Sequence, residues 1–311
     1  GDAAIGLRAY ILVERGQLLS LDGHLVVANG AFERAIALAD AVGERLQQYR
    51  ARRMLGANRL TAGDAAAALP LLERAHEMAI DVLGASHRST LTCAGQLALA
   101  YGRLERWPEA DRTLQQALAA AASIQHRGAG ADVVIAQLRD NLATNLWQQS
   151  RYAECIAEAE RSLGLYQAHV PDGLQGFNPA WRAATCAYQA GDLADAEARA
   201  RIALPYAERG AAAGRINVRR LRATIAARTG RIDDARAQLA EADALLADGE
   251  VANPAVATAL DLARAWLAVA EGDPVGARGH LARVDATITP ASSRWLSEER
   301  DAVAARIDDG R

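Results

Sequence analysis

The chain has 311 residues, of which 35 are basic and 38 acidic, and its net charge is −3; every basic residue is arginine, because the sequence contains no lysine. The lack of lysine excludes chemistries that need its amine, among them a Walker A phosphate loop and a pyridoxal-phosphate Schiff base. The near-neutral charge argues against direct contact with nucleic acid, and no uninterrupted apolar run is long enough to span a membrane.

A small residue recurs at intervals of 39 to 45 residues along the chain. A turn position lies five residues before each copy, and an apolar residue lies four residues after it. The recurring residues are Ala28, Ala68, Ala110, Cys155, Ala196, Ala235 and Ala277. A period of this size is typical of a solenoid, in which paired amphipathic helices bury their apolar faces against neighbouring pairs.

The turns between paired helices carry their own signals. Glycine can adopt the positive φ of a helix end, and aspartate can accept from the free N–H groups of the next helix. These residues occur together at Gly63-Asp64, Gly191-Asp192 and Gly272-Asp273, with Gly230 alone in a fourth turn. His87 precedes another helical stretch, and we interpret it as a structural cap rather than a catalytic group.

The clearest copy of the repeat extends from Ala94 to Leu118. Its spaced residues are Leu97, Ala98, Tyr101, Trp107, Ala110, Leu114, Ala117 and Leu118. This frame resembles the tetratricopeptide repeat, whose first helix carries a large-small pair and an aromatic residue, and whose second carries two alanines around a bulky residue. The resemblance covers about residues 8 to 288, and the 42-residue interval is similar to the kinesin-light-chain form.

The resemblance implies an all-α fold, a right-handed superhelical solenoid of about seven helix-turn-helix repeats plus a C-terminal capping helix. We expect residues 291–307 to form that helix, with Trp295 and Leu296 on one side. The continuous repeat predicts a single domain over residues 1–311, in which residues 125–132 and 169–179 are loops.

The chain begins at Gly1 rather than at methionine, which we interpret as a fragment of a larger protein. The repeats resemble the C-terminal extensions of bacterial serine/threonine kinases and winged-helix regulators, and a kinase or DNA-binding domain is therefore expected upstream. We expect a cytoplasmic location, with the periplasm as the alternative if an upstream membrane anchor was removed.

No catalytic or metal-binding motif is present in the sequence. His76 and Glu77 begin a zincin-like pair, but Ile80 stands where the second histidine would lie. The three cysteines have no paired spacing, and the six histidines are scattered over different repeats. We therefore expect no enzyme, no metal and no cofactor.

In the resembling family the first helix of each pair lines the concave wall, so the resemblance implies partner-binding positions there. The implied residues are Arg50, Arg53, Gln137, Asn141, Thr144, Trp147, Gln148, Asn178, Trp181, Thr185, Tyr188, Asn217, Arg220, Thr224 and Arg228. Asn141 stands at the place where an asparagine often clamps a peptide backbone in related proteins.

The chemistry of these residues favours a protein or peptide partner with acidic groups. Amides pair with an extended backbone, arginine holds a carboxylate through two parallel hydrogen bonds, and large aromatics give amphipathic contact area. The alternative for any single arginine is a solvated helix face, and the alternative for the aromatics is core packing. The alternative function is a ligand-sensing domain that controls an attached kinase or DNA-binding domain.

Overall fold

The computed structural model describes residues 1–124, 128–247, 254–288 and 294–309. Over these residues the chain is built from fifteen α-helices and one short 3-10 helix, and no strand occurs among them. The expected all-α repeat is confirmed. The residues form two compact units, residues 1–171 and residues 172–311, which we call unit 1 and unit 2. A single domain over the whole chain stays a prediction.

Unit 1 consists of four helix pairs. Its helices are α1 (Asp2–Leu21), α2 (Leu25–Val42), α3 (Arg45–Thr61), α4 (Ala65–Leu83), α5 (Arg88–Arg103), α6 (Trp107–Ala122), α7 (Ala129–Gln148) and α8 (Tyr152–His169). The first helices of successive pairs lie beside one another, because α3 contacts α1 and α5, and α5 also contacts α7. Residues 125–127 of the expected loop lie outside the described residues, and α7 already begins at Ala129.

Unit 2 contains three further pairs and a final helix. Its helices are α9 (Phe177–Gln189), α10 (Leu193–Arg209), α11 (Ala212–Arg228), α12 (Ile232–Ala247), α13 (Pro254–Ala270), α14 (Pro274–Asp285) and α15 (Arg294–Asp308). The first helices are again neighbours, since α11 contacts both α9 and α13. The expected loop 169–179 contains the 3-10 helix Leu174–Gly176, and it ends earlier than expected because α9 begins at Phe177. The expected capping helix is α15, which packs on α13 and α14.

The seven recurring small residues are the contact points within the pairs. Each one is the fourth residue of the second helix of its pair, and each is fully buried. A side chain of this size lets two antiparallel helices approach more closely than a larger one would, while neighbouring leucines and aromatics fill the groove beside it. The repeat seen in the sequence is therefore a repeat of close helix contacts.

The turn within each pair is equally regular. All seven residues that lie five positions before the small residue have a positive φ, from 58° to 88°, and five of them are glycine. Glu105 and Ser150 adopt the same conformation in the other two turns. The expected caps are confirmed: Asp64, Asp192 and Asp273 each accept from a backbone N–H of the following helix, and His87 Nδ1 accepts from Ser89 N at 3.1 Å.

None of the helices in the described ranges combines the length and hydropathy that crossing a bilayer requires.

Candidate functional site

The two arginines predicted on α3 have partners within unit 1. Arg50 Nη2 lies 2.5 Å from Glu14 Oε1, and its guanidinium stands 5.6 Å from the ring centre of Tyr10. Arg53 Nη1 donates to Gln96 Oε1 over a long 3.4 Å, while its buried Nε has no partner among the described residues. Arg50 is thus neutralised by its own chain, whereas Arg53 keeps an unsatisfied donor.

A pocket of about 250 Å³ opens in unit 1 between α5, α6 and α7. Three predicted binding residues of α7 line it together, namely Asn141, Thr144 and Gln148. They share one face of α7 because they are separated by three, four and seven positions. From α5 the pocket receives Leu99, which is 39 % exposed, and Arg103.

The three predicted polar residues of this pocket are only weakly engaged, whereas Asn145 of the same lining donates to Asp111 and Arg103 donates to Leu60 O. Asn141 Nδ2 donates to Gly95 O at 3.4 Å, near the long limit for a hydrogen bond. No side-chain hydrogen bond within the described ranges involves Thr144 or Gln148. Trp107 lines the same pocket from the start of α6. Two other predicted residues of α7 lie outside the pocket lining, Gln137 exposed and Trp147 half-buried.

In unit 2 the predicted residues of α9 and α11 face one another. Trp181 lies on α9, and the guanidinium of Arg220 on α11 stands 5.9 Å from its ring centre. About two helical turns further along the same two helices, the guanidinium of Arg228 on α11 stands 5.1 Å from the ring centre of Tyr188 on α9. The hydroxyls of Thr185 and Thr224 donate to backbone oxygens of their own helices. Asn178 is exposed, and Asn217 is half-buried. The sequence placed these side chains on one wall, and unit 2 does bring the aromatics and arginines together.

Residues of α13 and α15 complete this group. Glu299 Oε1 accepts from Tyr188 Oη in a short hydrogen bond and from Trp266 Nε1 at 2.5 Å. Trp295 lies one turn before Glu299, and its ring centre is 5.0 Å from the guanidinium of Arg220. We call this group the unit 2 cluster. Its members are Trp181, Tyr188, Arg220, Arg228, Trp266, Trp295 and Glu299.

Burial changes the acid-base properties of the cluster. Tyr188 is 8 % exposed, and burial raises the pKa of its phenol, as does the neighbouring carboxylate of Glu299. Arg220 is 6 % exposed, and burial lowers the pKa of its guanidinium, while Glu299 opposes that change. The phenol therefore remains a hydrogen-bond donor at neutral pH, and arginine remains charged.

A second pocket, of about 460 Å³, lies beside the unit 2 cluster. Arg228 and Trp266 line it together with Arg306 from the last turns of α15. The guanidinium of Arg228 stands 4.9 Å from the ring centre of Trp266 and 5.1 Å from that of Tyr188. Within the described ranges, neither Arg228 nor Arg306 forms an ion pair.

The sequence analysis missed Glu299, Trp266 and Arg306 as members of this region, although it placed Trp295 on the inward side of the last helix. The spacing of Trp295, Glu299 and Arg306 by four and seven positions was the available signal, because it sets all three on one helix face.

The described part of the chain contains no group of three or more histidine, cysteine, aspartate or glutamate side chains arranged to hold a metal ion. The side chains gathered at the two pockets are mainly amides, arginines and aromatics.

Comparison with known proteins identifies the repeat. Residues 47–123, from α3 to the end of α6, match the family model described as tetratricopeptide repeat. Residues 47–123 contain tetratricopeptide repeats. No curated protein matches the sequence.

Solved tetratricopeptide repeat structures share the fold over most of the chain. Aspartyl phosphate phosphatase F from Bacillus subtilis is 12 % identical with a TM-score of 0.65, covering 100 % of this chain and 94 % of its own. A tetratricopeptide repeat protein from Parabacteroides merdae is 15 % identical with a TM-score of 0.59, covering 96 % and 99 %.

The expected likeness to kinesin light chain repeats is confirmed at the level of the fold. A putative kinesin light chain with nearly identical repeats, from Podospora anserina, is 17 % identical with a TM-score of 0.53. The alignment covers 65 % of this chain and 95 % of that one.

Proposed function

We propose that this chain is a non-catalytic module of a bacterial signalling or regulatory protein, and that it binds a protein or peptide segment along the first helices of its pairs. The unit 1 pocket carries the proposal, because it gathers Asn141, Thr144 and Gln148 with weakly engaged polar groups beside exposed Leu99. Asparagine and glutamine amides can donate to and accept from an extended backbone. A cytoplasmic location and an acidic partner belong to the same proposal.

Leu99 and Arg103 suggest what the segment carries. An apolar side chain of the segment would cover Leu99, and a carboxylate would meet the donors of Arg103 that its hydrogen bond from Nη1 to Leu60 O leaves over. The pocket volume accommodates one or two side chains rather than a whole helix. We therefore propose an extended segment with an apolar residue close to an acidic one.

The test is a selection followed by substitution. Peptides selected from a random display library on the full chain are titrated against Asn141→Ala/Gln148→Ala. We expect the double substitution to weaken binding about thirtyfold, because two lost hydrogen bonds contribute about 2 kcal/mol together. The matched control is Gln116→Ala, an exposed glutamine on α6 outside the pocket, which should bind as the original chain does.

Equal affinity of the double variant and the control for every selected peptide would rule out the unit 1 pocket as the binding site. Circular dichroism of each variant shows whether it is folded as the original chain is.

The alternative function, a ligand-sensing domain that controls an attached kinase or DNA-binding domain, is favoured by one observation: α15 covers Tyr188 and Arg220 of unit 2. A site covered by the chain's own helix can exist in two states that a ligand shifts. A sensor should show a ligand-dependent rise in Tm together with a changed small-angle scattering profile. A recruiting module should bind the selected peptides with an unchanged profile.

A further inference from the structure

The final helix places two side chains, one turn apart, on three other helices of unit 2. Glu299 takes hydrogen bonds from Tyr188 of α9 and Trp266 of α13, and Trp295 stacks near Arg220 of α11. A helix whose only role was to cover the last repeat would need just an apolar face that packs on that repeat. Two of these three contacted residues, Tyr188 and Arg220, are ones that the sequence predicts to bind a partner.

We propose that α15 is an intramolecular ligand of unit 2. It occupies the site of a partner segment that presents a carboxylate and, four residues earlier, an aromatic ring. This inference rests on the proposed function, that the first helices receive a peptide segment, but it uses unit 2 alone. Arg220 and Tyr188 become available to the partner when α15 leaves them.

The fit of α15 is incomplete, which makes its replacement physically reasonable. Glu299 Oε1 receives two neutral donors, a phenol and an indole N–H. The buried Arg220 Nε has no hydrogen-bond partner among the described residues, although Arg220 is 6 % exposed. A buried guanidinium donor without an acceptor is unfavourable, and a charge-assisted bond to carboxylate would relieve it. A partner carboxylate that reaches Nε gains a bond that α15 leaves unmade.

The adjacent face of α15 keeps it attached. Leu296, Val303 and Ile307 are buried in one core cluster with residues of α13 and α14. Because the helix is tethered, it competes with any free segment at an effective concentration on the order of millimolar. A free segment therefore binds well only in two cases. Either the polar contacts between α15 and the unit 2 cluster are weakened, or the segment makes more favourable contacts with the cluster than α15 does.

Two measurements test the proposal on the full chain. The first compares amide hydrogen exchange of α15 in Glu299→Gln and in the control Glu298→Gln, which changes an exposed glutamate paired with Arg294 on the same helix. We expect exchange in α15 to rise about tenfold in Glu299→Gln only, since the neutral amide is a weaker acceptor for Tyr188 and Trp266.

The second measurement uses a labelled synthetic peptide of residues 294–309. We expect it to bind Trp295→Ala/Glu299→Gln at least about tenfold more tightly than the original chain, where the tethered helix competes. A helical host peptide of alanine and glutamine, with Trp and Glu four positions apart, should displace it. The same host peptide with Gln in place of Glu should not.

Equal affinity of the labelled peptide for both proteins, unchanged exchange in α15, or equal displacement by the Glu and Gln host peptides would each overturn the proposal. Asn141 and Gln148 are intact in all of these proteins. A display-selected peptide that still depends on those two residues therefore shows that only this inference has failed, and it also shows that the variants are folded.

Discussion

At the scale of single residues, glycine inside a helix marks the tightest approach between helices. A Cβ added at Gly56 of α3 would lie 2.7 Å from Leu72 Cγ, and one at Gly16 of α1 would lie 2.5 Å from Phe32 Cε1. Glycine in a helix interior costs about 0.5–1 kcal/mol relative to alanine. The two glycines are retained at that cost because Leu72 and Phe32 fill the space.

Gly56→Ala should therefore destabilise the chain by about 1–3 kcal/mol, because the added methyl group overpacks the contact with Leu72. The control is Gly164→Ala on α8, where nothing lies within 4 Å of the added Cβ. That change should stabilise by up to about 1 kcal/mol through helix propensity. Urea unfolding of the two variants measures both effects. A stabilised Gly56→Ala variant would contradict the close approach.

At the scale of elements, α13 and α14 are joined by one carboxylate. Asp261 Oδ1 lies 3.0 Å from Arg264 Nη1 on α13, and 3.1 Å from both His280 Nδ1 and Arg283 Nε on α14. Burial alone would raise the pKa of Asp261, but hydrogen bonds from Arg283, His280 and Arg264 outweigh burial and lower it. The ionised carboxylate is thus favoured by the folded state.

Because the pKa of Asp261 is lower in the folded chain than in the unfolded one, its contribution to stability is present above the unfolded value of about 3.9. The contribution is lost as the pH falls through the folded value. We expect Asp261→Asn to be less stable than the original chain at pH 6 and equally stable at the acid end of the folded range. Thermal unfolding at a series of pH values measures this difference, and a difference independent of pH would contradict it.

The sequence predicts the elements well where their determinants are local. The small residue, the turn five positions earlier and the capping aspartate all lie within one pair, and the structure confirms them. The hydrogen bond between Tyr188 and Glu299 joins residues 111 positions apart. No repeat pattern encodes such a pairing, and the closing of the unit 2 cluster by α15 was therefore beyond the sequence. Arg50 was likewise assigned to a partner although Glu14, one repeat earlier, already pairs with it.

At the scale of the whole molecule, we propose two kinds of binding surface. Unit 1 has a pocket with weakly engaged amides, and unit 2 has an aromatic and arginine cluster covered by α15. First helices contribute most of the residues to both, with α6 added in unit 1 and α15 in unit 2. In this proposal the fold supplies the geometry, and the residues that line each surface supply the recognition.

The most direct measurement is a hydrogen-exchange footprint of the full chain with and without a saturating display-selected peptide. Binding along the first helices predicts slower exchange in α5 and α7, around Leu99 and Asn141, because a bound segment shields these helices and suppresses their local opening. Slower exchange confined to α6 and α8, the second helices of the same pairs, would contradict the account.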